Sequence, residues 1–208
     1  MSRFGPDPRS FFDSIYDADV PPWDVGDAQP ALAALFDEIP PEGPVLDVGC
    51  GSGDLAISLA RRGLAVTGVD FVEAAIAHAR EKARALPPDV ASRLDFRVGD
   101  ALRPSSFGRF GAVVDSGFLH VLGSDDRDRF VGELAAALRP GGRYYLLAFA
   151  ITFPVPNTPL EVTEDEVRAR FTPAGGWRVR ACRPATFLSR VAPPVAATCA
   201  CIERIAAS

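Results

Sequence analysis

Val45-Leu-Asp-Val-Gly49-Cys-Gly51-Ser-Gly53-Asp-Leu-Ala56 reads as a short apolar strand, a turn holding three glycines, and the first residues of a helix. This is where doubly wound α/β folds bind nucleotide-like ligands, because glycine lets backbone amides approach a ligand closely. The spacing separates the ligand classes. A dinucleotide fingerprint built on Gly49 and Gly51 needs a third glycine at position 54, which is Asp54, and Gly-x-x-x-x-Gly-Lys is absent. Asp47, just before the turn, is a poor neighbour for a pyrophosphate and a good one for a cation. A ligand with an amino group, a sulfonium and a ribose suits these charges, with a nicotinamide dinucleotide as the formal rival.

Two further acids follow the next strands. Val66-Thr-Gly-Val-Asp70 places a carboxylate one strand over from the glycine turn, where it accepts both ribose hydroxyls or opens the following helix. Asp100, in Val98-Gly-Asp-Ala101, either accepts an adenine amino proton or caps a turn.

Outward from the loop the pattern repeats. Helices are expected at 30–38, 54–62, 73–86 and 125–138, and strands at 45–48, 65–69, 94–98, 112–115 and 143–149, with Arg139-Pro-Gly-Gly142 as a turn. Near-continuous Val/Leu strands alternating with helices predict a doubly wound, mostly parallel α/β sheet covered on both faces. Thr163-Glu-Asp-Glu166 is a capping box opening a helix to about Phe171. Strands at 177–182 and 197–205 follow without an intervening helix, which predicts an antiparallel pair at the sheet edge.

In these motifs the chain resembles the class I S-adenosylmethionine (SAM) dependent methyltransferases. The match runs through Asp47-Val-Gly-Cys-Gly-Ser-Gly53, Asp70, Gly99-Asp100, Val113-Val-Asp115 and Leu138-Arg-Pro-Gly-Gly142, in order, over about residues 40–205. The resemblance implies a Rossmann-like, seven-stranded sheet with an antiparallel last strand. It implies that Gly49, Gly51 and Gly53 contact the methionyl part of SAM, Asp70 the ribose, Phe71 the adenine ring and Asp100 its amino group. With their neighbours, the candidate cofactor residues are Asp47, Gly49, Cys50, Gly51, Gly53, Asp70, Phe71, Asp100, Ala101, Asp115, Ser116 and Trp23.

Methyl transfer from a sulfonium needs alignment, exclusion of water and sometimes removal of a proton. The segment Asp115-Ser-Gly-Phe118-Leu-His120 ends the fourth strand beside the sulfonium, so His120 and Asp115 are the candidate catalytic residues, with His120 a base or a packing histidine. The segment departs from the Asn/Asp-Pro-Pro-Tyr/Phe of branches that methylate amino groups of bases or glutamine. The N-terminal Pro21-Pro-Trp23…Gln29-Pro30 resembles the Trp-bearing segment of thiopurine S-methyltransferase and of bacterial tellurite-resistance methyltransferases. That likeness implies that Tyr16 and Trp23 close over SAM and the acceptor. Phe12, Tyr16, Trp23, Phe118, His120 and Phe153 are therefore the candidate acceptor contacts.

Composition bounds what remains. The chain has 208 residues, 48% apolar and 24% charged, with a net charge of -5. That length suits one domain, here 31–208, with 1–30 as a lid arm. The acidic balance argues against a nucleic-acid or anionic-membrane surface, and the arginines at 178, 180 and 183 read as a protective strand edge. Lys82 is the only lysine, a sign of GC-rich coding that hints at the host and says nothing of mechanism; the bacterial tellurite-resistance likeness makes a bacterial source the expectation. The start lacks an apolar leader, no run reaches the ~20 residues of a membrane helix, and the four cysteines lack zinc spacing. The expectation is a cytoplasmic monomer or homodimer without metal. It methylates O, N or S of a small aromatic or heterocyclic metabolite. The alternatives are a soft nucleophile (thiol, selenol, tellurite or halide) and a SAM-binding partner subunit without chemistry of its own.

Overall fold

The computed structural model describes residues 8–18, 21–154 and 158–205. The first seven residues, on which the absence of a leader was read, and part of the arm and of the Phe153 loop lie outside the described residues. In chain order the elements are α1 (Pro8–Ala18), α2 (Pro30–Glu38), β1 (Val45–Val48), α3 (Asp54–Arg61), β2 (Val66–Asp70), α4 (Glu73–Arg84) and α5 (Pro88–Ala91). They continue with β3 (Leu94–Val98), β4 (Phe110–Ser116), α6 (Ser124–Ala137), β5 (Leu138–Phe149), α7 (Glu164–Arg170), β6 (Trp177–Phe187) and β7 (Val195–Arg204).

The seven strands form one sheet in the order β3-β2-β1-β4-β5-β7-β6. β1 to β5 pair in parallel, and β7 runs antiparallel between β5 and β6. Alternate residues of each strand serve opposite faces. Val45, Ala112, Val114, Tyr145 and Cys201 pack with α2, α3 and α4. Leu46, Val113, Tyr144, Leu146 and Ile202 pack with α6 and α7. Both faces are thus covered, which is what the unbroken apolar strands demanded.

Several boundaries move for physical reasons. Residues 139–142 belong to the irregular start of β5, where the register slips between Phe110 and Ala112 of β4, so the expected turn is a strand irregularity. β6 runs five residues past Cys182, through Pro184, which the outermost strand tolerates because one side of its backbone needs no partner. Its edge is guarded as expected, with Arg180 paired to Glu203 and Arg183 to Glu38. Thr163 caps α7 by accepting the Glu166 N–H at 3.1 Å. No helix among the described residues is long and apolar enough to cross a membrane.

Candidate active site

The glycine turn joins β1 to α3 at the carboxyl end of the parallel strands. Gly49 and Gly51 both have positive φ, +64° and +53°. A Cβ at Gly49 would stand 2.9 Å from the Phe118 ring, and one at Gly51 would stand 2.6 Å from the Tyr16 hydroxyl oxygen. Glycine is required there by conformation and by space. Gly53, with φ +85°, is crowded from the other side by Phe96 and Ala79, so it also serves packing of α3 on the sheet.

Two hollows open beside this turn and share Gly49 and Trp23. The first is lined by Trp23, Asp24, Asp47, Cys50, Gly51, Ser116 and Phe187 among others. The second is lined by Phe12, Tyr16, Trp23, Asp70, Phe71, Val72 and Phe118. Together they make one cleft running from Asp47 and Ser116 to Asp70 and Phe71.

The acids behave differently along it. Asp47 is buried and its Oδ2 has no hydrogen-bond partner. Burial, with Asp115 nearby, pushes its carboxyl well above the usual range. An unpartnered buried acid of this kind fits a cationic ligand, which would favour its charged form. Asp70 accepts the Gly51 N–H through Oδ2 and the Val72 N–H through Oδ1, each at 3.0 Å. It both braces the glycine turn and lines the second hollow; burial raises its carboxyl despite those bonds. Asp100 is exposed, accepts the Leu102 N–H at 2.9 Å and lines neither hollow, and Ala101 beside it is buried.

Asp115, the other candidate catalytic residue, lies deep behind the turn. It has no solvent exposure and accepts the N–H groups of Phe118 and Leu119 and the Tyr144 hydroxyl, at 2.7, 3.0 and 2.6 Å. Desolvation lifts it to about 6 even so. Its oxygens shape the turn that carries Phe118 and His120.

His120 is likewise buried and lines neither hollow directly. Its ring stacks flat on Phe149, centroids 4.4 Å apart at 3°. Phe153 and Phe187 pack edgewise or tilted on Phe149 at 5.3 and 4.9 Å. Since Phe187 also lines the first hollow, this aromatic wall continues the cleft past Ser116.

Sequence reading missed the latch over the cleft. Lys82, from α4, donates to Ser52 Oγ and Asp54 Oδ1, each at 2.6 Å, and lies 3.8 Å from Asp24. Ser52 also bonds Asp24, and the Gly26 N–H donates to Asp54. The Gln29 amide pairs with both backbone groups of Leu188. The arm is thereby tied to the glycine turn on one side and to the β6–β7 connection on the other. The only signal for Lys82 was its solitude, which composition explains equally well.

A methyltransferase-domain family model matches residues 45–142. The chain is 31% identical over 172 residues to the 2-heptyl-1-hydroxyquinolin-4(1H)-one methyltransferase of Mycobacteroides abscessus, covering 77% of this chain and 74% of that one. The chain belongs to the SAM-dependent methyltransferases. A structure reported for conversion of a disulfide bond into a thioacetal group during echinomycin biosynthesis superposes with a TM-score of 0.80. It shares 30% identity and is covered over 97% of this chain and 94% of the other. The Burkholderia thailandensis 1,6-didemethyltoxoflavin-N1-methyltransferase, solved with its substrate and S-adenosylhomocysteine, superposes at 0.70 with 25% identity, over 96% and 88% of the two chains. For a SAM-dependent methyltransferase the cleft makes sense end to end: glycine turn, buried acids and a shared tryptophan.

Proposed function

We propose that this methyltransferase moves the methyl group of SAM to O, N or S of a small, planar aromatic or heterocyclic metabolite. The observation that carries this reading is the wall of His120, Phe149, Phe153 and Phe187 continuing the first hollow. Flat aromatic surfaces bind planar ligands through stacking and exclusion of water. The proteins similar over most of the chain that are named as methyltransferases of 2-heptyl-1-hydroxyquinolin-4(1H)-one and of 1,6-didemethyltoxoflavin support it.

SAM supplies an electrophilic methyl on a sulfonium that departs as a neutral sulfide. The chain's own residues then have three tasks. Asp70 and Phe71 hold the nucleoside and Asp47 offsets the cofactor's positive charge. Trp23 and Tyr16, on the 1–30 arm acting as lid, exclude water. Phe118 and Phe153 orient the acceptor. The body of the enzyme is the single domain 31–208. It works in the bacterial cytoplasm as a monomer or homodimer, with no nucleic-acid or membrane partner.

A soft sulfur nucleophile is the second reading, and a specific observation favours it. His120 is pushed down to about 3 by burial and by Arg127, and Asp115 is enclosed, so neither is poised to take a proton near neutrality. Labelled SAM offered with 2-heptyl-1-hydroxyquinolin-4(1H)-one, 1,6-didemethyltoxoflavin, an alkyl thiol and thiocyanate separates the two. Transfer to a heteroaromatic is expected; transfer to the sulfur compounds alone would replace the first reading by the second.

A further inference from the structure

The surroundings of His120 fix which of its nitrogens carries the proton. The Phe149 backbone N–H donates to Nδ1 at 3.1 Å, so the neutral ring bears its hydrogen on Nε2. Stacking on Phe149 sets the plane of the ring. Nε2 lies against Gly117, 3.3 Å from where a Cβ there would stand, with Phe187 on the same spot at 3.5 Å. Gly117 is next to Ser116, and Ser116 and Phe187 both line the first hollow. Among the described residues nothing accepts a hydrogen bond from Nε2, although the residue is 95% buried, with a relative exposure of 5%.

The turn that carries the ring is clamped from behind. Arg127 of α6, almost wholly buried, donates to the carbonyls of Leu119, Leu160 and Glu161 and to both carboxylate oxygens of Glu166 on α7. Leu160 N–H donates in turn to the His120 carbonyl at 2.6 Å. Arg127 is the charged group that acts on the imidazole, with Glu166 beyond it, and it opposes a second proton.

We infer that His120 donates a hydrogen bond through Nε2 to the methyl acceptor, so that the acceptor carries a lone-pair oxygen or ring nitrogen beside the atom that is methylated. This rests on the small-acceptor reading and narrows it to an anionic or lone-pair heteroaromatic. The acceptor's lone pair forms the bond to the methyl carbon, and the pair of the broken S–C bond stays on sulfur. An anionic acceptor ends neutral, so no proton passes to the protein. A donor at that atom aligns the ring and lowers the acceptor's KM, whereas a base would govern kcat.

The test has two arms. In 15N-histidine-labelled protein only His78 and His120 contribute, and a His78→Gln variant assigns them. His120 is expected as the Nε2–H form, without titrating between pH 5 and 8; an Nδ1–H form or a midpoint near 6.5 overturns the inference. In turnover with SAM and 2-heptyl-1-hydroxyquinolin-4(1H)-one, His120→Phe is expected to lose at least tenfold in kcat/KM, mostly in KM, with SAM affinity unchanged. His120→Gln, which keeps a donor and cannot serve as base, should recover most of that loss. An active wild type with an equally active His120→Phe, or a His120→Gln as impaired as His120→Phe, overturns the donor role. A wild type inert toward that quinolone and toward 1,6-didemethyltoxoflavin overturns the acceptor reading itself, a different outcome from either.

Discussion

The two halves of the cleft are built by different means. The half proposed to hold the cofactor is made of consecutive backbone, residues 45–56, whose shape is set by β1, three positive-φ glycines and the start of α3, and it is braced by Asp70 one strand away. The half proposed to take the acceptor is assembled from the side chains of His120, Phe149, Phe153 and Phe187, far apart in the chain, whereas Phe12, Tyr16, Trp23 and Phe118 line the hollow shared with Asp70 and Phe71. A cradle of backbone amides has little freedom to vary, because a Cβ at Gly49, Gly51 or Gly53 would collide. A wall of aromatic side chains can change substrate by changing one ring. The difference implies that damage to the first half removes cofactor binding outright, while damage to the second shifts acceptor preference and leaves SAM bound.

The sharpest way to break this contrast is at Gly51. Gly51→Val puts a branched side chain into a positive-φ position already met by Tyr16, and SAM affinity should fall by ~100-fold or more, about 2.7 kcal/mol. Calorimetry that found near-normal binding would mean the turn is not the cradle. A smaller effect is expected on the other side. Phe153→Ala should raise the acceptor's KM by up to ~10-fold, the value of an aromatic contact, with SAM affinity within experimental error. A parallel loss of SAM affinity would show the halves to be coupled.

Acid pH probes the acceptor wall through stability. His120 has a folded-state pKa depressed to about 3 from an unfolded value near 6.5. The unfolded chain therefore binds more protons between those pH values, and His120 costs stability progressively as pH falls from 6.5 toward 3. Asp115 acts oppositely, since its raised value, about 6, makes the fold lose stability as pH rises from 3.8 through 6. The melting temperature of the wild type minus that of His120→Phe should accordingly shrink as pH is lowered across that window. A constant difference would contradict a neutral, buried His120. The smallest effect belongs to the latch. Lys82 is 39% exposed at its side chain, so Lys82→Met should weaken SAM only a few-fold, and less so in high salt.

The same contrast explains what could be read from sequence. The strand–turn–helix at 45–56, the βα alternation and the C-terminal antiparallel pair are local patterns, and the structure places them within a few residues of the reading. The acids were located correctly by strand ends, but what their oxygens do depends on neighbours far along the chain. Tyr144, 29 residues away, closes off Asp115, and Leu102 takes Asp100 into a turn. Phe187 was hidden because Pro184 made the end of β6 look like a connection. The latch was illegible because a lysine at 82 says nothing of a serine at 52 or an aspartate at 24 until α4 is packed beside the glycine turn.

The most direct measurement is a calorimetric titration of SAM into the wild-type protein and into Asp70→Ala. The cofactor half as described predicts micromolar or tighter binding to the wild type. Removing a carboxylate that bonds the Gly51 N–H and lines the second hollow, where the proposed reading puts the nucleoside, should weaken it by roughly ten- to hundredfold, the worth of hydrogen bonds to a charged group. A wild type that does not bind SAM, or an Asp70→Ala variant that binds it equally well, would contradict the account.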